Sequence, residues 1–309
     1  MSTLDTLLDR TVIPGYSKLG YLFRSRGWPD NDPERGALQG KTVVVTGARS
    51  GLGKATASGL AGLGATVRLV VRDAAKAADA VADLRGEVPG ATFVVDECDI
   101  SDLDAVRRYA GRLTEPIHAL IHNAGVMPPK RTESPQGHEL TLATHVLGPL
   151  LLTELLKPLL LNGRVILVAS GGMYTQQLPT DDPEYRNGTY RGATAYARSK
   201  RIQVALTPLL ATHLAPTFVA TMHPGWSTTP GLTSSLPLFT KLTSPLLRTP
   251  AEGADTTIWL TATTHALPTG HFWHDRDIRP THYLTRTQDT EADRLKMWSY
   301  CRTAAGLSD

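Results

Sequence analysis

Along most of the chain, short β-branched apolar runs alternate with longer stretches whose apolar positions recur at helical spacing. The run KTVVVT at 41–46 suits a strand buried on both faces of a parallel sheet, and Gly47 ends it. A Gly-rich turn then opens a helix over 52–63, closed by Gly62 and Gly64, and a second apolar run fills 66–71. Strand, helix and strand within about thirty residues make a βαβ unit. The rhythm continues with helices at 74–85, 103–113, 139–160, 193–213 and 251–261, and strands at 92–95, 117–122, 164–169, 217–222 and 271–273. This alternation predicts an α/β fold with a doubly wound parallel sheet.

The expected architecture is a single Rossmann-type sheet of about seven strands with helices on both faces, spanning 39–309 after an N-terminal extension at 1–38. Two segments, 173–192 and 226–250, are rich in Pro, Thr and Gly. Both follow strands, so they read as excursions over the carboxyl edge of the sheet, where open α/β sheets bind ligands. Met173, Tyr174, Trp226, Leu232 and Phe239 lie in them, either lining an apolar pocket or anchoring the loops. The extension supplies apolar contacts through Leu4, Leu7, Leu8, Tyr21, Leu22 and Phe23, with no clear amphipathic repeat. It could cover the site, dock on a partner or meet a membrane surface.

Composition adds exclusions. The chain of 309 residues is 41% hydrophobic and 20% charged, enough for a sizeable core. Its 32 basic and 29 acidic residues are interspersed, which argues against nucleic acid as a partner. Cys98 and Cys301 lack metal-ligand or redox spacing, so a reducing cytoplasmic setting is expected. The N-terminus lacks signal-peptide character, and the apolar stretch at 150–161 is broken by Glu154, Lys157 and Pro158, so no transmembrane segment is expected.

Three motifs carry chemistry. In Thr46-Gly47-Ala48-Arg49-Ser50-Gly51-Leu52-Gly53, missing Cβ atoms let a pyrophosphate approach the backbone, while the following helix turns its N–H groups toward the negative charge. The second strand ends Val70-Val71-Arg72-Asp73. Val71 stands where an NAD-selecting carboxylate is expected, and Arg72, with Arg49, could meet a 2′-phosphate. NADP(H) is therefore preferred; NAD(H) stays open if Asp73 turns inward. Tyr196 and Lys200 are four residues apart on one helix face, so the ammonium is expected to lower the phenol pKa and make Tyr196 a proton donor and acceptor. Ser170 ends a strand at the same edge and could hold a substrate oxygen.

In these residues the chain resembles the short-chain dehydrogenase/reductase family over about 38–275. TGARSGLG, Asp99-Ile100, His122-Asn123-Ala124-Gly125, Ser170, YARSK and His223-Pro224-Gly225 occur in the family's order. The segments 169–173, 222–226 and 252–256 are similar to the subgroup of family member twelve and the retinol-dehydrogenase-like enzymes.

The resemblance implies Tyr196 as acid/base, Lys200 as the group that tunes it and binds the nicotinamide ribose, and Ser170 as the holder of the reacting oxygen. It further implies that Asp99, with Ile100, contacts adenine. Asn123, Ala124 and Gly125 would pack beside the cofactor, as would Pro224 and Gly225, and Thr229 would touch the carboxamide side. His145 stands where the family has an asparagine that helps hold a relay water beside the lysine. It is either a working substitute or a packed, neutral histidine. The expected partner is a small, largely apolar carbonyl or alcohol, and the resemblance implies a homodimer or homotetramer. A non-redox cyclase or dehydratase on the same fold and a catalytically silent NADP(H)-binding sensor or scaffold are the alternatives.

Overall fold

The computed structural model describes residues 9, 13–228 and 244–308. Its centre is an eight-stranded sheet in the order β3-β2-β1-β4-β5-β6-β7-β8, with β1 Thr42–Thr46, β2 Thr66–Val71, β3 Phe93–Glu97, β4 Ala119–His122, β5 Arg164–Val168, β6 Phe218–Met222, β7 His271–His274 and β8 Asp277–Ile278. The first seven are parallel; β8 pairs antiparallel with β7 and is the strand beyond the expected seven. It was illegible because it holds two residues after a tight turn in which Asp275 and Arg276 both have positive φ. The order reverses direction between β1 and β4, which opens the crevice at their carboxyl ends.

Alternation along β1 explains the layers. Val43 and Val45 pack with Leu60 and Trp259 on one face, and Val44 joins Leu120 and Leu151 on the other; all three valines are fully buried. The first face is covered by α2 Gly51–Gly62, α3 Ala78–Glu87 and α7 Pro250–Ala262. The second is covered by α4 Leu103–Ala110, α5 Gly148–Leu156, α6 Gly192–Leu214 and α8 Glu291–Ala304. Helix α8 was not foreseen; it docks through Met297 and Cys301. The run 140–159 is long and apolar enough to cross a membrane, although shorter apolar bounds had been expected. In the fold, 78% of that window is buried, so it serves as a core helix.

The N-terminal segment lies on the sheet rather than apart from it. Helix α1, Lys18–Ser25, buries Arg24, while Leu19, Leu22 and Phe23 face outward. Tyr16 just before it is fully buried, stacked on His274 at 4.5 Å and beside His223 at 4.7 Å. Leu4, Leu7, Leu8, Leu232 and Phe239 lie outside the described residues.

Candidate active site

The cofactor-side cradle is built at the β1–β4 crevice. Gly47 has φ +67, and a Cβ there would stand 2.8 Å from the Cα of Ala124; a Cβ on Gly53 would stand 2.3 Å from the Gly47 carbonyl oxygen. Both glycines are therefore required by close backbone approach. Ser50 precedes α2 without capping it through its side chain, which leaves the N–H groups of Gly51, Leu52 and Gly53 directed into the turn. Thr46 is buried, and its hydroxyl donates to the Ile121 carbonyl while accepting the N–H groups of Asn123 and Ala124, both at 3.0 Å. Asn123 returns its amide to the carbonyls of Thr46 and Gly47. These two side chains brace the turn from beneath; they were expected to meet the cofactor themselves, but their polar atoms are engaged with backbone.

Arg49 and Arg72 are exposed at the rim, and no ion pair involves either among the described residues. Asp73 does not turn inward. Its carboxylate pairs with Lys76 at 2.9 Å and accepts the Lys76 N–H at 3.1 Å, bonds that hold its pKa below the usual value. Asp99 accepts from the N–H and hydroxyl of Ser101, which fixes the turn after β3, and Ile100 is buried beneath it. Gly225 has φ +74, and a Cβ there would stand 2.4 Å from Nε of Arg248. Pro224 accepts the Ser227 hydroxyl through its carbonyl at 3.1 Å. Thr229 lies outside the described residues.

The proton-handling groups come from three elements. Ser170, past the end of β5, accepts the Gly172 N–H at 3.3 Å and hydrogen-bonds Tyr196. Tyr196 and Lys200 stand on α6, with the ammonium 5.5 Å from the phenol ring centroid. Lys200 is 2% exposed; its Nζ donates to the Val168 carbonyl at 2.7 Å, and burial without a carboxylate partner lowers its pKa to about 7. The expected lowering of the Tyr196 pKa is corrected here. Burial raises it, and the bond to Ser170 only partly opposes that, because the ammonium is held by Val168.

His145 is fully buried in a wide helical turn, Ala143–Leu147, ahead of α5. Its Nε2 accepts the Val126 N–H at 2.9 Å and its Nδ1 lies 2.7 Å from Ser199 Oγ. Burial, and then the charge of Lys200, hold its pKa well below the ordinary value. This is the packed, neutral histidine of the two sequence readings. Met173 and Tyr174 are also buried, clustered with Tyr16, Val204 and Phe272, with Trp226 partly buried against them; they anchor the excursions and do not line an open pocket.

Residues that motif reading passed over complete the surroundings. Gln203, one turn beyond Lys200, donates to the His145 carbonyl at 2.6 Å. Arg248 is 1% exposed and pairs with Asp275 through Nη1–Oδ1 at 2.5 Å and Nη2–Oδ2 at 2.9 Å. Its Nε donates to the Ser17 carbonyl, and its backbone N–H to that of Trp226, whose own N–H donates to Tyr16. Only the departure of His122 from the expected asparagine hinted at any of these; the others are separated by too many residues to be read as pairs.

Comparison with known proteins agrees with this geometry. The short chain dehydrogenase family model matches residues 41–236. Dehydrogenase/reductase SDR family member 12 of Bos taurus is 38% identical over 290 residues, 91% of this chain and 91% of its own. Retinol dehydrogenase 12 of Homo sapiens is 37% identical over 231 residues, 72% of this chain and 73% of its own. An uncharacterized protein from Mycobacterium paratuberculosis, 29% identical, has a solved structure that matches with a TM-score of 0.72 and covers 87% of this chain and 95% of its own.

Proposed function

Because the chain belongs to the short-chain dehydrogenase/reductase family, we propose that it is an NADP(H)-dependent oxidoreductase working chiefly as a carbonyl reductase. The observation that carries the reading is the meeting of Ser170, Tyr196 and Lys200 beside the glycine cradle, with the phenol held protonated and the lysine buried without a carboxylate. Bound in that cradle, NADPH supplies a hydride to the carbonyl carbon. Gly47, Gly51, Leu52 and Gly53 would receive the pyrophosphate, and Arg49 and Arg72 the 2′-phosphate. Asp73 is committed to Lys76, which favours the phosphorylated cofactor over NAD(H).

Ser170 and Tyr196 hold the substrate oxygen, and the Tyr196 Oη–H bond breaks as the new O–H bond forms. Lys200 then returns a proton to the phenolate. A protonated phenol at neutral pH suits the reductive direction, since the group must begin by donating. Substrate specificity would lie in the segment after Trp226, with a small, largely apolar ketone or aldehyde as the expected class. Two buried, unpaired cysteines suit a reducing cytoplasm.

Turnover of a ketone and aldehyde panel, followed by NADPH absorbance and product analysis, tests the reading. Tyr196→Phe should lose about a hundred-fold or more in kcat with NADPH binding retained. Preserved turnover in that variant removes Tyr196 from the mechanism, and product formation without NADPH consumption favours non-redox chemistry.

A further inference from the structure

Proton supply to Lys200 needs a source, and this inference rests on the Tyr196/Lys200 chemistry just proposed. His145, at the place of the relay asparagine, offers no free nitrogen: Nε2 is taken by Val126 and Nδ1 by Ser199. Its carbonyl is taken by Gln203 Nε2 at 2.6 Å. Proton traffic through residue 145 would require breaking one of these bonds.

Two other buried polar atoms have no hydrogen-bond partner among the described residues, Gln203 Oε1 and His122 Nδ1. Gln203 is three residues beyond Lys200 on α6, so the two side chains share a helix face. His122 ends β4 in register with Leu167 of β5, one residue before the Val168 carbonyl that holds the Lys200 ammonium. Its Nε2 is 2.7 Å from the Thr153 hydroxyl. Both residues are more than nine-tenths buried. An ammonium has three donors, and only one from Lys200 is spent on protein. Orphaned buried acceptors and donors of this kind are satisfied in proteins by ordered water.

We infer that a water-containing chamber bounded by Lys200, His122 and Gln203 supplies the proton that Lys200 passes to Tyr196, replacing a relay through residue 145. In the reductive direction the phenolate takes a proton from Nζ, and the neutral amine takes one from the chamber water. Solvent restores it, with His122 able to release a proton at Nδ1 while gaining one at Nε2, so its charge is unchanged over the cycle. Gln203 is a positioning residue: its Oε1 holds the water and its Nε2 seals the older route. The titratable groups that face Lys200 are Tyr196 on its own helix, His122 from β4 and His145 from the wide turn; no carboxylate joins them among the described residues.

A crystal structure fine enough to order buried water tests the chamber without relying on turnover. Water within hydrogen-bonding distance of Gln203 Oε1 and of Lys200 Nζ or His122 Nδ1 supports it; closed, dry packing there overturns it, whatever the protein reduces. With a turned-over carbonyl in hand, Gln203→Leu and His122→Leu should each lower kcat about ten-fold with KM and NADPH affinity nearly unchanged. The solvent deuterium isotope effect on kcat should rise in both. His122→Asn, which keeps a donor and an acceptor, should recover most of the loss and controls for folding. Unchanged kcat and isotope effect in the folded leucine variants overturn the inference. Absence of any NADPH turnover in the wild type sinks the reductase reading instead and leaves the crystallographic result to decide the chamber.

Discussion

His145 Nδ1 donates to Ser199 Oγ at 2.7 Å, because the Ser199 hydroxyl proton is already given to the Tyr196 carbonyl at 2.8 Å. That order fixes the imidazole as the Nδ1–H tautomer, with Nε2 left to accept from Val126. The ring ties the loop after β4 to the first turn of α6 and crosses Tyr196 edge-on at 5.2 Å between centroids. It therefore acts by placing the tyrosine.

The first prediction concerns this bridge. Asparagine is too short to reach Val126 and Ser199 together, so His145→Asn should lower kcat several-fold and reduce stability by about 1–2 kcal/mol. Since the native ring stays neutral, the pH–rate profile should keep its shape between about pH 5 and 8. A profile that loses an inflection near 6.5 in the variant would show that His145 titrates during turnover.

A second prediction follows from Arg248 and Asp275, which rivet the N-terminal segment to the Pro224–Gly225 turn. Asp275→Ala would leave Arg248 buried without its carboxylate, and a broken buried pair costs about 3–5 kcal/mol. Chemical denaturation should record that loss, and NADPH affinity should fall because Gly225 packs directly on the Arg248 guanidinium. A loss below about 1 kcal/mol would mean that the pair contributes little beyond its neighbours.

Glu184 leads to a pH prediction. Burial alone would raise its pKa, but hydrogen bonds from His138 at 2.8 Å, the Glu139 N–H at 2.6 Å and Tyr300 at 2.7 Å prevail and bring it to about 2. A depressed carboxyl stabilises the fold above its unfolded value near 4.5, and that contribution is lost as pH falls through about 2. His138 is raised by the same bond, so its share is complete below 6.5 and fades as pH rises through its folded value. Glu184→Gln should therefore cost about 1–3 kcal/mol at pH 6 and progressively less toward pH 2, read from denaturant midpoints. A pH-independent difference would place the cost in packing.

The sequence alone determined the order of strands and helices, because a βαβ chain repeats buried β-branched runs and helical spacing at short range. It also determined the glycine turn and the Tyr196/Lys200 pair, whose members are close along the chain. The tertiary structure decided everything that depends on groups brought together from afar. It made His145 a neutral strut, turned Thr46 and Asn123 into braces beneath the turn, and committed Met173 and Tyr174 to the core. It also set the lysine pKa, since burial and the lack of a carboxylate are properties of a surrounding shell and not of spacing. Helix α8 and strand β8 escaped the pattern for related reasons: one docks through only a few buried residues, and the other is two residues long. The pairing of Lys200 with His122 and Gln203 belongs to the same class, because β4 and α6 meet only once the sheet has formed.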